Sequence, residues 1–145
     1  MVQGTTGKIL RVNLTDRRVS VDEPDEMFYR RYVGGAGFIS YYLLKELEPG
    51  TDPLSPDNIL IFALGPMTGT PMPGGSRNSI GTKSPLSGGI AKSEVGGFFG
   101  YELKRAGYDT LIVEGRADTP VYLWIHDGEV EIKDARHLWG TTVME

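Results

Sequence analysis

Apolar residues recur along this chain with two periods, and each change of period marks a new element. Leu10, Val12 and Leu14 alternate with Arg11 and Asn13, and beyond Thr15-Asp16 the alternation resumes at Val19 and Val21. A period of two belongs to a strand with one apolar face, so residues 8–22 are predicted to form a hairpin. The period then lengthens. Asp25 is placed to cap a short helix from Glu26 to Tyr32, which Gly34-Gly35 stops. From about Ala36 to Leu47, Phe38, Tyr42 and Lys45, or Ile39, Leu43 and Leu47, fit helical spacing, and Pro49-Gly50 end the run. The aromatics here read as core and interface filler, because apolar periodicity usually faces a core.

The pattern changes again at Asn58. Asn58 to Leu64 carries no charge and has the length of a buried strand. Ile61, Phe62 and Leu64, together with Ile112, are expected among the most buried side chains. A short strand follows over Ser79–Lys83, then a helix over Phe98–Ala106, with Gly107 suited to its C-terminal end and Lys104 and Arg105 near the negative end of its dipole. Leu111–Val113 is the next strand. Val121–Ile125 and Val130–Ile132 flank Asp127-Gly128, a pair that suits a primed turn because both central residues need positive φ. The expected class is α+β, with mostly antiparallel sheets and helices to one side, in one domain over residues 1–145.

Between the strand ending at Leu64 and the helix beginning at Phe98, glycine and proline take over. Gly65, Gly69, Gly74 and Gly75 alternate with Pro66, Pro71 and Pro73; Arg77 follows directly, and Gly96-Gly97 open the helix. Glycine lets backbone approach a ligand closely, while proline stiffens the same path. Free N–H groups at a helix start, backed by Arg77 and Lys83, suit an anion such as a phosphate. Gly/Pro-rich segments also form ordinary turns, and composition does not separate the two readings. Neither a Walker phosphate loop nor a G-x-G-x-x-G after a strand is present.

Composition narrows the chemistry. The 145 residues carry a net charge of −4 and no basic cluster, which argues against nucleic acid as a partner. No apolar run approaches the roughly 18 to 20 residues that span a bilayer, and the first residues lack a charged-then-apolar leader. A cytoplasmic setting with no membrane contact is the expectation. There is no cysteine, so neither a disulfide nor a thiolate-held cluster forms within the segment. His126 reads as a solvated turn residue and His137 as a local packing residue, and neither has zinc-ligand spacing. Glu94, Glu102 and Asp109 are the available acids, the last two reading more easily as helix-face and turn residues. No residue is assigned a catalytic role, and independent catalysis is not expected.

Ordered motifs cover nearly the whole chain: Gly7-Lys-Ile-Leu-Arg-Val-Asn-Leu14, Tyr32-Val-Gly-Gly-Ala-Gly37, Asp52-Pro-Leu-Ser-Pro56, Gly65-Pro-Met-Thr-Gly-Thr70, Lys83-Ser-Pro-Leu86, Gly96-Gly-Phe-Phe-Gly100, Glu102-Leu-Lys-Arg-Ala-Gly-Tyr-Asp109, Val113-Glu-Gly115 and Asp134-Ala-Arg-His-Leu-Trp-Gly140. In this order they resemble the amino-terminal domain of the tungsten-containing aldehyde ferredoxin oxidoreductase family. The resemblance implies a base of two sheets carrying a bis-pterin tungsten cofactor, tungstopterin, whose phosphates are bridged by magnesium. Arg77 matches the family arginine near the pterin, and Gly96 and Gly97 match the glycine pair whose backbone lies against it. Glu94 stands where better-known members have Asn, whose backbone carbonyl meets the magnesium. A carbonyl contact survives a change of side chain, but a carboxylate there must bind the cation or turn away from the phosphates. With Lys83 and Val95, these residues complete the expected cofactor-binding set.

The resemblance implies, for the whole enzyme, oxidation of aldehydes to carboxylic acids with ferredoxin as acceptor. The [4Fe–4S] cysteines belong to later domains of the family. Family members are several times longer than this chain, and Thr142-Val-Met-Glu145 has the form of a capping box, so a truncated or split polypeptide is expected. Its partner would be the rest of the enzyme or a second chain, and exposed apolar surface would favour self-association. Two alternatives from other classes remain: a free-standing binding or assembly module with this fold, and a small anion- or nucleotide-binding domain using the Gly65–Gly100 cradle.

Overall fold

The computed structural model of the chain describes residues 3–142; the last three residues of the expected capping box lie outside that range. Strands β1 (Ile9–Asn13) and β2 (Arg18–Asp22) form the first hairpin, with Leu10 opposite Val21. Helix α1 (Glu26–Tyr32) begins at Asp25, whose Oδ1 accepts a hydrogen bond from the Phe28 N–H at 2.8 Å. Helix α2 (Ala36–Glu46) follows after Gly34-Gly35. Strands β3 (Ile59–Leu64), β4 (Asn78–Lys83) and β5 (Ile90–Val95) precede α3 (Phe99–Arg105) and β6 (Thr110–Glu114). Strands β7 (Val121–His126) and β8 (Glu129–Asp134) pair as a separate hairpin, with φ of 46° at Asp127 and 82° at Gly128, as the primed turn requires.

Six strands make one sheet in the order β2-β1-β6-β3-β4-β5. Only the β1–β6 pairing is parallel, so the α+β class with a mostly antiparallel sheet holds. The two faces are covered differently. On one, α1 and α2 pack over Ile9, Ile59, Ile61, Ala63 and Ile112 through Tyr29, Phe38, Ile39, Tyr42 and Leu43. On the other, Leu10, Val12, Leu64 and Leu111 meet Leu103 of α3 and Tyr108, with Leu123, Ile125, Val130 and Ile132 of the β7–β8 hairpin. Two helices therefore lie to one side, and α3 shares the opposite side with the hairpin.

Both helical stripes of α2 are used: Phe38, Ile39, Tyr42 and Leu43 are all buried. Ile39 packs so closely that a Cβ at Gly81 of β4 would sit 2.2 Å from its Cγ2. The polar residue of the β1 alternation is not solvated either. Arg11, only 16% exposed, bonds Asp22 Oδ2 at 2.6 Å and Glu114 Oε2 at 3.3 Å, pairs with Glu46 of α2, and lies over the Tyr42 ring. One side chain thus ties β1, β2, β6 and α2 together.

Three expectations change. Ile61, Leu64 and Ile112 are fully buried, but Phe62 is only partly so. It points to the face where the short α3 gives thinner cover, against the Phe99 ring at 5.3 Å. His137 is exposed rather than packed. Strand β5 has no counterpart in the sequence reading, because Ile-Ala-Lys-Ser-Glu-Val lies at the sheet edge with five of its six side chains exposed. An edge strand with solvent on both faces leaves little apolar alternation to read.

Candidate functional site

The glycine-rich segment folds as a tight loop at the end of β3. Thr68 organises it: its hydroxyl accepts from the Gly65 N–H at 3.0 Å and donates to the Arg77 carbonyl at 2.6 Å, closing the two ends together. Gly69 and Gly75 are joined by a backbone bond of 2.9 Å. At Gly75 three carbonyls converge, so a Cβ would sit 2.9 Å from Met67 O and 3.0 Å from those of Thr70 and Met72. Only glycine allows that packing.

Against this loop lies the start of α2. The Gly35 N–H donates to Leu64 O at 3.0 Å, and a Cβ on Gly34 would meet the same oxygen at 2.4 Å. Glycine at position 34 therefore sets the helix end directly on the end of β3. Gly35 is the N-cap and supplies no side-chain cap, which leaves the helix start without a side-chain acceptor. Val33 just before it holds φ at 63°, a strained value for a β-branched residue and one that recurs beside functional sites.

Loop, helix start and the ends of β4 and β5 enclose a cavity of about 350 Å³, lined by residues that include Gly34, Gly35, Ala36, Gly74, Gly75, Arg77, Asn78, Ser79 and Glu94. Arg77 is exposed, and its charge acts on the Glu94 carboxyl in the same cavity. Asn78 is 2% exposed; its Oδ1 would lie 3.2 Å from a Cβ on Gly100, on the α3 side of β4, and among the described residues its amide has no partner. Glu94 accepts from Ser79 Oγ at 2.6 Å and also pairs with Lys92 Nζ through the same oxygen. Lys92 first, then Ser79, hold the Glu94 carboxyl below its ordinary range. A second cavity of about 540 Å³ shares Gly74 and Gly75 with the first and is lined also by Met72, Gly97, Phe98 and Tyr101.

The structure brings Arg77 and Glu94 into one cavity and places Gly97 in its neighbour. Gly96 lies beside Ser76, and Val95 pairs with Asn78 across the β4–β5 ladder. Lys83 is not brought to them. It ends β4 on the side away from Arg77 and donates its ammonium to Thr51 O at 2.6 Å, so its charge serves a loop. The helix start in the first cavity also differs from the expected one: it belongs to α2 rather than to α3, which is only seven residues long. Gly34, Gly35, Asn78, Ser79 and Lys92 were missed as site residues. Val33-Gly34-Gly35 just before a helix was the available signal. Nothing in a linear reading brings residue 35 to residue 79.

The remaining acids and histidines stand elsewhere. Asp109 is buried in a structural clasp, Glu102 is exposed on α3, and His126 lies 3.5 Å from Glu131 beside the turn. Among the described residues no group of three or more His, Cys, Asp or Glu side chains could hold a metal ion.

The molecule is thus an α+β domain whose glycine loop, helix start and strand ends converge on one polar cavity at the end of a sheet. It belongs to the aldehyde ferredoxin oxidoreductase family, whose N-terminal domain matches residues 9–145. The tungsten-containing aldehyde ferredoxin oxidoreductase of Pyrococcus abyssi is 55% identical over 98% of this chain and 23% of its own length. The WOR-like subunit of an aliphatic sulfonate oxidoreductase from Pyrococcus furiosus is 44% identical over 92% of this chain and 22% of its own. Among solved structures, the active-site complex BamBC of benzoyl coenzyme A reductase, bound to 1,5-dienoyl-CoA, superposes with a TM-score of 0.95 at 40% identity, over 99% of this chain and 22% of that one. The chain spans less than a quarter of the length of these relatives. No helix among the described residues is long and apolar enough to cross a membrane.

Proposed function

We propose that this chain is the cofactor-binding N-terminal portion of a tungstopterin oxidoreductase that oxidises aldehydes to carboxylic acids, with ferredoxin as electron acceptor. The observation that carries the reading is the convergence on one cavity of Arg77, the α2 start capped by Gly35 without a side chain, and the glycine pair Gly74-Gly75. A positive side chain and open backbone N–H groups suit a ligand that offers acceptors. Pterin edges and phosphates are such ligands.

The residues present fit that group. Arg77 offers a planar, permanently charged fork to phosphate or pterin oxygens. The α2 start, capped by Gly35 without a side chain, favours negative charge. Gly74, Gly75, Gly96 and Gly97 let backbone approach a flat ring system. Glu94 would offer its backbone carbonyl to a magnesium ion while Lys92 and Ser79 occupy its carboxylate. When bound, the cofactor supplies the two-electron chemistry, and the protein supplies position and electrostatics. Aldehyde plus water gives carboxylic acid, two protons and two electrons. A [4Fe–4S] cluster and ferredoxin, held by other parts of the enzyme, would be the electron acceptors.

Relatives of different printed activities share this domain, so substrate choice is expected to lie outside it. The remainder of the enzyme is the proposed partner, in the cytoplasm. Phe98 and Trp139, 83% and 77% exposed, are apolar surface for that contact or for self-association. The test is Arg77→Ala in the full-length enzyme carrying this segment, with tungsten and pterin content measured beside the apo-protein melting temperature. Loss of cofactor at unchanged melting supports the reading. Full retention of cofactor sinks it.

A further inference from the structure

Glu94 poses an electrostatic problem for any anionic ligand of the cavity, and its neighbours contain the answer. Its carboxylate lines the same cavity as Arg77, whose charge acts on that carboxyl less than Lys92 and Ser79 do. Left alone it would repel a phosphate and draw Arg77 towards itself. It is not left alone. Lys92, two residues earlier on the same face of β5, pairs with Glu94 Oε1, and Ser79 Oγ bonds the same oxygen at 2.6 Å from the neighbouring strand. Lys92 lies outside the cavity lining, so it holds the carboxylate from behind. Ser79 in turn stands against the α2 start, its Oγ 3.1 Å from where a Gly35 Cβ would be.

We infer that Lys92 is a positioning residue of the cavity: by pinning and neutralising the Glu94 carboxylate against Ser79, it leaves Arg77 free to receive a phosphate-bearing anion. This rests on the proposed reading of the cavity as an anion-binding cofactor site and assigns it a residue that touches no ligand. The pair is more than a third exposed on both sides, so its contribution to stability is small and its loss should leave the fold intact. Its effect is local charge.

The test measures inorganic pyrophosphate binding to the full chain by calorimetry at low ionic strength, for the wild type, Lys92→Met, Glu94→Gln and the double variant. Lys92→Met should weaken binding about tenfold, because an uncompensated carboxylate then faces the anion. Glu94→Gln should bind at least as tightly as the wild type. The double variant should regain wild-type affinity, since the charge that needed neutralising is gone. A double variant as weak as Lys92→Met means that Lys92 touches the anion itself, which overturns the inference. Unchanged binding in Lys92→Met also overturns it while leaving the cavity reading intact. If the wild type takes up no pyrophosphate, and Arg77→Ala changes nothing, the anion-site reading fails and the inference with it.

Discussion

The Lys104 ammonium lies 2.5 Å from the carboxylate of Asp109, with the two side chains only 14% and 3% exposed. Asp109 also accepts from the Thr6 and Gly7 N–H groups, each at 2.9 Å, and Lys104 donates further to Gly4 O at the same distance. One buried carboxylate therefore fastens the N-terminal loop to the end of α3 and the start of β6. Asp109, one of the acids the sequence made available, is engaged through both carboxylate oxygens in holding the chain.

Removing one partner of a buried pair leaves the other charged and unpaired, which costs about 3 to 5 kcal/mol. Asp109→Ala is expected to lower the denaturant midpoint by a corresponding amount, and Lys104→Met in the same chain should recover part of the loss. Chemical denaturation of the two variants checks this. A loss below about 1 kcal/mol for Asp109→Ala would make the pair no more than a surface contact.

Gly81 predicts a packing defect. Its Cβ would penetrate Ile39, so Gly81→Ala must push α2 off the sheet or force Ile39 off its rotamer. Overpacking of this kind costs about 1 to 3 kcal/mol. Ile39→Ala costs stability by itself through a cavity, yet in combination with Gly81→Ala the two should cost less than their sum. Thermal melts of the two single variants and the double measure that coupling, and strict additivity would contradict the contact.

Asn78 predicts a stability gain on removal of a polar group. Both ends of its amide are buried without partners, so Asn78→Leu removes a desolvation cost from the apo-protein. The apo melting temperature is expected to hold or rise, which a thermal melt of the variant beside the wild type checks. A marked drop in apo stability would show that the amide has an essential structural bond.

Asp134 predicts an acid-shifted titration. Arg136 first through its side chain and then through its backbone N–H, at 2.8 Å, holds this carboxyl down to about 2. Because the folded value is depressed, the stabilisation is present above the ordinary carboxylate range and is lost as pH falls through about 2. Carboxyl-detected NMR titration should place the midpoint there, and Arg136→Ala should bring it up towards the ordinary value of 3.8.

Local signals determined much of the architecture. Asp25 capping α1, the Asp127-Gly128 turn and the apolar run of β3 need only neighbours within a few residues, so periodicity and turn chemistry located them. The glycine- and proline-rich pattern likewise put Arg77 and the glycine pairs in one stretch between β3 and α3. What a linear reading could not supply was anything set by strand order. Strand β5 escaped because its exposed side chains carry no burial signal, and only the β4–β5 register brings Glu94 to Ser79. Lys83 and Arg77 look alike as nearby cations, yet opposite ends of one extended strand separate them, and only Arg77 reaches the cavity. The α2 start reaches the same cavity because Gly34 lets it rest on the Leu64 carbonyl. Such contacts join residues 15 or more positions apart, and sequence spacing does not record which faces the sheet order will turn towards one another.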